Sequence, residues 1–113
     1  MRLPCPDSAV VEPEKIRDYL LSPAHQVGRF KAAFFAALGY TQENWTDLAR
    51  DLLTLASKEE GIQGKFSRFG NKYEISGRLE GPSGRSAQVL TVWIVRHGEE
   101  FPRFVTAMPG DKP

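Results

Sequence analysis

The chain predicts an α+β fold: two or three N-terminal helices packed on one face of a C-terminal antiparallel sheet of three to four strands. Three observations carry this. As far as Lys58, apolar residues recur at three- and four-residue spacing, the period of an amphipathic helix. After Gly61 the period becomes two, the pattern of a half-buried strand. Glycine and proline then cluster at Gly81-Pro82-Ser83-Gly84 and from Gly98 to Pro102, where antiparallel strands need turns. Helices first and a meander second imply two layers, with the second sheet face at least partly open.

Residues 1–11 read as an extended arm, because Pro4 and Pro6 discourage helix and Ala9-Val10-Val11 suits a short edge segment. Pro13 opens the first helix, with Glu12 and Glu14 at the positive end of its dipole. Ile16, Tyr19 and Leu20 share a face, and Ser22-Pro23 stops the helix. The second helix spans about Gly28 to Leu38, with a buried stripe of Phe30, Ala33, Phe34, Ala37 and Leu38 and with Lys31 and Phe35 on neighbouring faces. Gly39 is its left-handed cap. Thr41 caps a third helix, with Gln42 and Glu43 in its first turn and an apolar stripe of Trp45, Leu48, Leu52 and Leu55.

Tyr73, Ile75 and Leu79 alternate with Glu74, Ser76, Arg78 and Glu80, so this strand has one wet face. Ala87 to Val95 is apolar on both faces and belongs in the middle of the sheet. Pro102 to Met108 is the last strand, and Lys65 to Phe69 supplies one more at the other edge. The expected organisation is a single domain over residues 1–113, with 1–11 an arm and 110–113 a loose tail.

Composition narrows the function classes. An apolar share of 41% with 26% charged residues is that of a globular protein and not of a disordered one. No run approaches the roughly 18 apolar residues of a membrane span, so no membrane partner is expected. The first residues, with Pro4, Pro6 and Asp7, do not predict a secretory signal. Cys5 is the single cysteine, which excludes an intrachain disulfide and fits a reducing, cytoplasmic location. Net charge is +1, but residues 1–60 carry seven basic and nine acidic groups, whereas residues 61–113 carry eight basic and five acidic ones. The basic excess falls on the C-terminal half, a pointer to a local anion-facing surface.

Several chemistries drop out. His25 and His97 with one cysteine offer too few donors for a metal site, and no cofactor is expected. Gly61-Ile62-Gln63-Gly64-Lys65 lacks the loop length and following hydroxyl of a phosphate loop. No nucleophile elbow is present. What remains is His25, Arg29 and Lys31, in and just after the loop that leads into the second helix. A neutral imidazole accepts a proton from a hydroxyl near pH 7. Neighbouring guanidinium and ammonium groups stabilise charge developing on a phosphate. Arg78 and Ser76, with Thr91, Trp93 and Thr106, make a polar, partly aromatic surface suited to a nucleotide if all line the open sheet face. The structural alternatives are a His25 that caps the loop or helix, solvated Arg29 and Lys31, a Trp93 in the core, and Thr91 and Thr106 chosen for strand propensity. Residue chemistry alone favours these alternatives. Arg96, His97 and Arg103 read as a solvated rim.

The segment from Leu21 to Thr41, with His25, Gly28, Lys31, Ala32, Phe35, Leu38, Gly39 and Tyr40 at fixed spacing, resembles a bacterial domain family of unknown function. A Val92-Trp93-Ile94 strand and a Pro102-Arg103-x-Val105-Thr106-Ala107-x-Pro109 closing strand extend the resemblance over nearly the whole chain. In layout the chain is also similar to the small metal-free ribonuclease toxins of the barnase, EndoU, colicin and RelE type. That resemblance implies a toxin-like, metal-independent RNA-cleaving or RNA-binding domain, with a small neutralising protein as partner. On it, His25 is general base or acid, Lys31 with Arg78 or Arg29 stabilises the phosphate, and Thr91 and Thr106 orient it. The near-neutral charge departs from the basic character of such toxins. The alternative expectation is a non-enzymatic module that binds a protein, or itself as a homodimer, through the open sheet face or an edge strand.

Overall fold

Among the residues described by the computed structural model (6–24, 29–59 and 61–110), helices precede sheet and lie on one side of it. A 3-10 turn (Pro6–Ser8) leads to α1 (Pro13–Lys15), which continues as a π-helical turn over Ile16–Leu20. Then come α2 (Arg29–Ala37), α3 (Trp45–Lys58), β1 (Gly61–Ser67), β2 (Gly70–Glu80), β3 (Ser86–Arg96) and β4 (Arg103–Pro109). The four strands form one antiparallel sheet in chain order, so the fold is α+β as the sequence predicts.

Pro13 stands at the start of α1, where its missing N–H costs nothing. The helix then widens: the Leu21 N–H bonds to the Ile16 carbonyl, five residues back, at 2.8 Å. This register buries Ile16, Leu20 and Leu21 together and leaves Tyr19 half-buried. On α2 the buried residues are Ala32, Phe35 and Leu38, whereas Ala33 and Ala37 are exposed and Phe34 is half-buried. The expected stripe is thus corrected by about a third of a turn. Four aromatic and alanine positions fit either face by size, and contact with Tyr40 selects Phe35, their rings meeting edge to face at 6.5 Å. Gly39 closes the helix at φ +100°, with the Tyr40 N–H reaching back to the Phe35 carbonyl. The third helix begins at Trp45 and not near Gln42. Asn44 Oδ1 accepts from the Thr41 amide at 2.6 Å, and Asn44 Nδ2 donates to the Gly39 carbonyl, so the intervening residues form a turn.

Strict alternation holds in β2. Tyr73, Ile75, Gly77 and Leu79 face the helices, and Lys72, Glu74, Ser76, Arg78 and Glu80 face solvent. In β3, Val89, Thr91 and Trp93 pair with Gly77, Ile75 and Tyr73 and therefore share the helix-covered face. Val10 forms a parallel bridge to Arg103, covering part of the β4 edge. Arg103 anchors that corner through a bidentate bond to Glu99, at 3.0 and 2.9 Å, and a 3.5 Å contact with Glu12.

Thr91 and Trp93, expected on an open nucleotide-binding face, are both fully buried, and this corrects their assignment as substrate contacts. The Trp93 ring meets Phe104 edge to face at 5.4 Å. Its indole N–H donates to Thr91 Oγ1 at 2.9 Å, and the threonine hydroxyl donates in turn to the Ile75 carbonyl at 2.8 Å. A fully buried indole donor must be bonded, and the threonine two residues away is its partner. Thr91→Val keeps the shape and orphans that donor. It is expected to lower stability by about 1–3 kcal/mol in urea unfolding, with the fold unchanged by far-ultraviolet circular dichroism.

Candidate functional site

Three polar side chains from three elements meet at the β4 edge. Lys31, early in α2, is half-buried. Its ammonium donates to the Tyr19 hydroxyl at 2.9 Å and to Thr106 Oγ1 at 3.0 Å. It also lies 5.3 Å from the centre of the Tyr19 ring. Each partner arrives through a local irregularity. Tyr19 belongs to the π-helical turn. Thr106 follows a bulge, since Val92 pairs with Thr106 and Trp93 with Phe104, leaving Val105 as the extra residue. Both Val105 and Thr106 then lie opposite one stretch of β3, and alternation no longer dictates which way Thr106 turns.

The described groups around the Lys31 ammonium leave its charge unneutralised. No carboxylate among the described residues forms an ion pair with Lys31. An ammonium has three donors, and the two hydroxyls take two of them. Partial burial pushes the Tyr19 phenol up, but hydrogen bonds from Lys31 and Thr106 and the charges of Lys31 and Lys15 outweigh it. The net shift is downward, so the phenol is a better acid than usual. A phosphate oxygen would meet a charged donor and two orientable hydroxyls here.

Of the residues singled out from sequence, the structure joins Lys31 and Thr106. His25 and the Arg29 side chain lie outside the described residues. Arg78 is not brought to this cluster. It pairs with Gln88, whereas Thr106 pairs with Val92, on opposite sides of β3. Two strand spacings and four strand residues put their backbones roughly 16 Å apart. Arg78 instead lines a polar cavity with Asp51, Lys58 and Glu80. Tyr19 is the residue that sequence reasoning passed over by counting it as core. The available signal was that a tyrosine at the edge of a core needs a partner for its hydroxyl. A mostly apolar cleft lined by Leu21, Ala32, Ala36 and Tyr40 opens on another face of α2.

Among the described residues no three His, Cys, Asp or Glu side chains could hold a metal ion, and no helix is long and apolar enough to cross a membrane.

The model of a family described as a domain of unknown function, DUF6883, matches residues 2–111. No curated protein matches the chain. A solved structure similar in fold is a chain of a contact-dependent growth inhibition toxin–immunity protein complex from Klebsiella pneumoniae 342. It superimposes with a TM-score of 0.72 at 20% sequence identity, covering 95% of this chain and 97% of that one.

The coupling between Lys31 and Tyr19 has a direct readout. Lys31→Met removes a hydrogen bond and a charge that hold the Tyr19 phenol down against burial, so its titration moves to higher pH. Ultraviolet phenolate titration of Lys31→Met, with Tyr19→Phe used to identify the signal, checks the direction. Tyr40 will not be confused with it, because burial and a hydrogen bond to Asp51 push that phenol well above the usual range.

Proposed function

The chain belongs to the DUF6883 family, and we propose that it is a toxin-like, metal-independent RNA-cleaving domain. The observation that carries this reading is the Lys31 ammonium held between the Tyr19 and Thr106 hydroxyls with no carboxylate among the described residues paired to it. The fold shared with a chain of a toxin–immunity complex supports it and adds a partner, a small neutralising protein.

RNA suits such a site because the substrate carries its own nucleophile. His25 takes the proton from a ribose 2′-hydroxyl, and that oxygen attacks the adjacent phosphorus. The bond from phosphorus to the 5′ oxygen breaks, leaving a cyclic phosphate. Tyr19, made more acidic by Lys31, returns a proton to the departing oxygen. Lys31 stabilises the extra negative charge on the phosphate, Arg29 reinforces it, and Thr106 fixes the ammonium in place.

A second reading, a protein-interaction module, rests on the open sheet face. There the exposed row Lys72, Glu74, Ser76, Arg78 and Glu80 flanks half-buried Leu90 and Val92.

Cleavage of total RNA in EDTA decides between them. The wild type is expected to cleave, Lys31→Ala to lose about a hundred- to thousandfold in rate, and His25→Ala and Tyr19→Phe to lose roughly a hundredfold or more each. A wild type that leaves RNA intact, alone and without its partner protein, overturns the enzyme reading in favour of the interaction module.

A further inference from the structure

The end of the sheet away from Arg78 carries a second surface that the cleavage site does not use. The β1–β2 turn displays Phe69, which is 63% exposed and is the exposed large apolar side chain among the described residues. The Arg68 guanidinium sits 4.9 Å from the centre of its ring. Three features hold this turn in place. Gly70 adopts φ +148°, and a Cβ there would come within 2.1 Å of the Val95 carbonyl oxygen, so the turn lies directly on β3. Gly70 also pairs with Arg96 in the β2–β3 ladder. The His97 N–H reaches the Phe69 carbonyl at 3.4 Å, joining the β1–β2 turn to the β3–β4 turn.

Cations outnumber carboxylates near this turn. Lys72 pairs with Ile94 and Arg96 with Gly70, so the two residues are diagonal neighbours on the outward face, their backbones about 7–8 Å apart. Both are exposed, as is Arg68. Of the carboxylates in the neighbouring turn, Glu99 is engaged by Arg103 in two hydrogen bonds, and Glu100 is left to face solvent. An apolar ring with a stacked guanidinium, next to a pair of ammonium and guanidinium groups, matches the two halves of a nucleotide: a π-face and a phosphate. The exposed cations Arg68, Lys72 and Arg96 favour a polyanion as the occupant over an apolar protein surface.

We infer that Phe69, Arg68, Lys72 and Arg96 form a docking platform for single-stranded nucleic acid, with a base stacked on Phe69 and the backbone phosphates on Lys72 and Arg96. The platform rests on the RNA reading above for its biological substrate, and it serves to hold a strand whose scissile bond lies at the Lys31 cluster. It carries no chemistry of its own.

The test uses a fluorescein-labelled 2′-O-methyl RNA of mixed sequence, which has no free 2′-hydroxyl and so is not consumed. Fluorescence anisotropy with the whole chain is expected to show binding that Phe69→Ala weakens at least about fivefold and that Phe69→Trp restores. Arg96→Gln and Lys72→Gln should each reduce the slope of log affinity against log salt by about 0.7. Arg85→Gln, at the opposite hairpin turn, should leave both within twofold. Phe69 is exposed, so Phe69→Ala is expected to fold, which circular dichroism verifies. Unchanged affinity in Phe69→Ala overturns the platform, as does an equal loss in Arg85→Gln, which would mean general charge attraction. A wild type that binds this probe but cleaves no RNA overturns the cleavage reading alone. A wild type that cleaves but binds the probe equally well with Phe69 removed overturns the platform alone. Loss in Phe69→Ala of a protein contact in place of probe binding assigns the turn to a protein partner and also overturns it.

Discussion

Burying the Trp93 indole is the constraint on which the rest of the architecture depends. The ring occupies the middle of the sheet beneath the helices, where no solvent reaches it, and its N–H cannot be left unbonded there without a cost of about 1–3 kcal/mol. Thr91 solves this within the same strand and hands the bond on to the Ile75 carbonyl of β2. One consequence is that β2 and β3 are locked in register by side-chain as well as backbone bonds. Another is that the face carrying Thr91 and Trp93 belongs to the core, so any chemistry must sit at the edges, turns or outer face of the sheet.

The Lys31 cluster lies at such an edge. An ammonium half-buried between a helix and a strand must be hydrated or bonded, and two hydroxyls rather than a carboxylate meet it. A carboxylate would neutralise the charge and close the site as a salt bridge. Hydroxyls satisfy the donors while leaving the positive charge available to an incoming anion. The π-helical turn at Tyr19 and the bulge at Val105 are the two departures from regular structure that make the meeting possible. Both elements are therefore shaped by the same small group of atoms.

Much of the fold was legible because burial follows period. Alternation in β2, the turn residues after Glu80, Pro13 at a helix start and Gly39 at a helix end are each dictated by local chemistry. Where local chemistry was degenerate, the reading failed. The α2 stretch Phe30 to Leu38 is apolar on several faces, so spacing alone could not tell Phe35 from Phe34, and the Tyr40 ring settled it. Thr91 suits a nucleotide only if it lines the open sheet face, and its register opposite Ile75 turns it inward. Lys31 and Thr106 were legible as residue types. Their meeting was not, since it crosses 75 positions of chain and depends on a bulge that no residue type announces. Tyr19 was hidden for the same reason: a helix read at the ordinary period puts it with Ile16 and Leu20, and only the wider turn separates them.

A net charge of +1 is no argument against a nucleic-acid substrate once distance is considered. At physiological ionic strength charges interact over about 8 Å, so a phosphate responds to the groups around it and not to the sum over the chain. Along the outer row of β2 the signs alternate, with Glu74 between Lys72 and Arg78 and Glu80 beyond, and such a row averages to little. At the Lys31 cluster the described groups bonded to the ammonium are hydroxyls, which leave its charge in place. At the Phe69 turn the exposed Arg68, Lys72 and Arg96 outnumber the exposed Glu74 and Glu100, since Arg103 has taken up Glu99. Four acidic groups are held in structural roles: Asp51 on Tyr40, Asp18 on Arg17, Glu99 and Glu12 on Arg103. Where a carboxylate is taken up internally, as Glu99 and Glu12 are by Arg103, the neighbouring cations keep their field without the self-repulsion that a strongly basic domain of this size would carry.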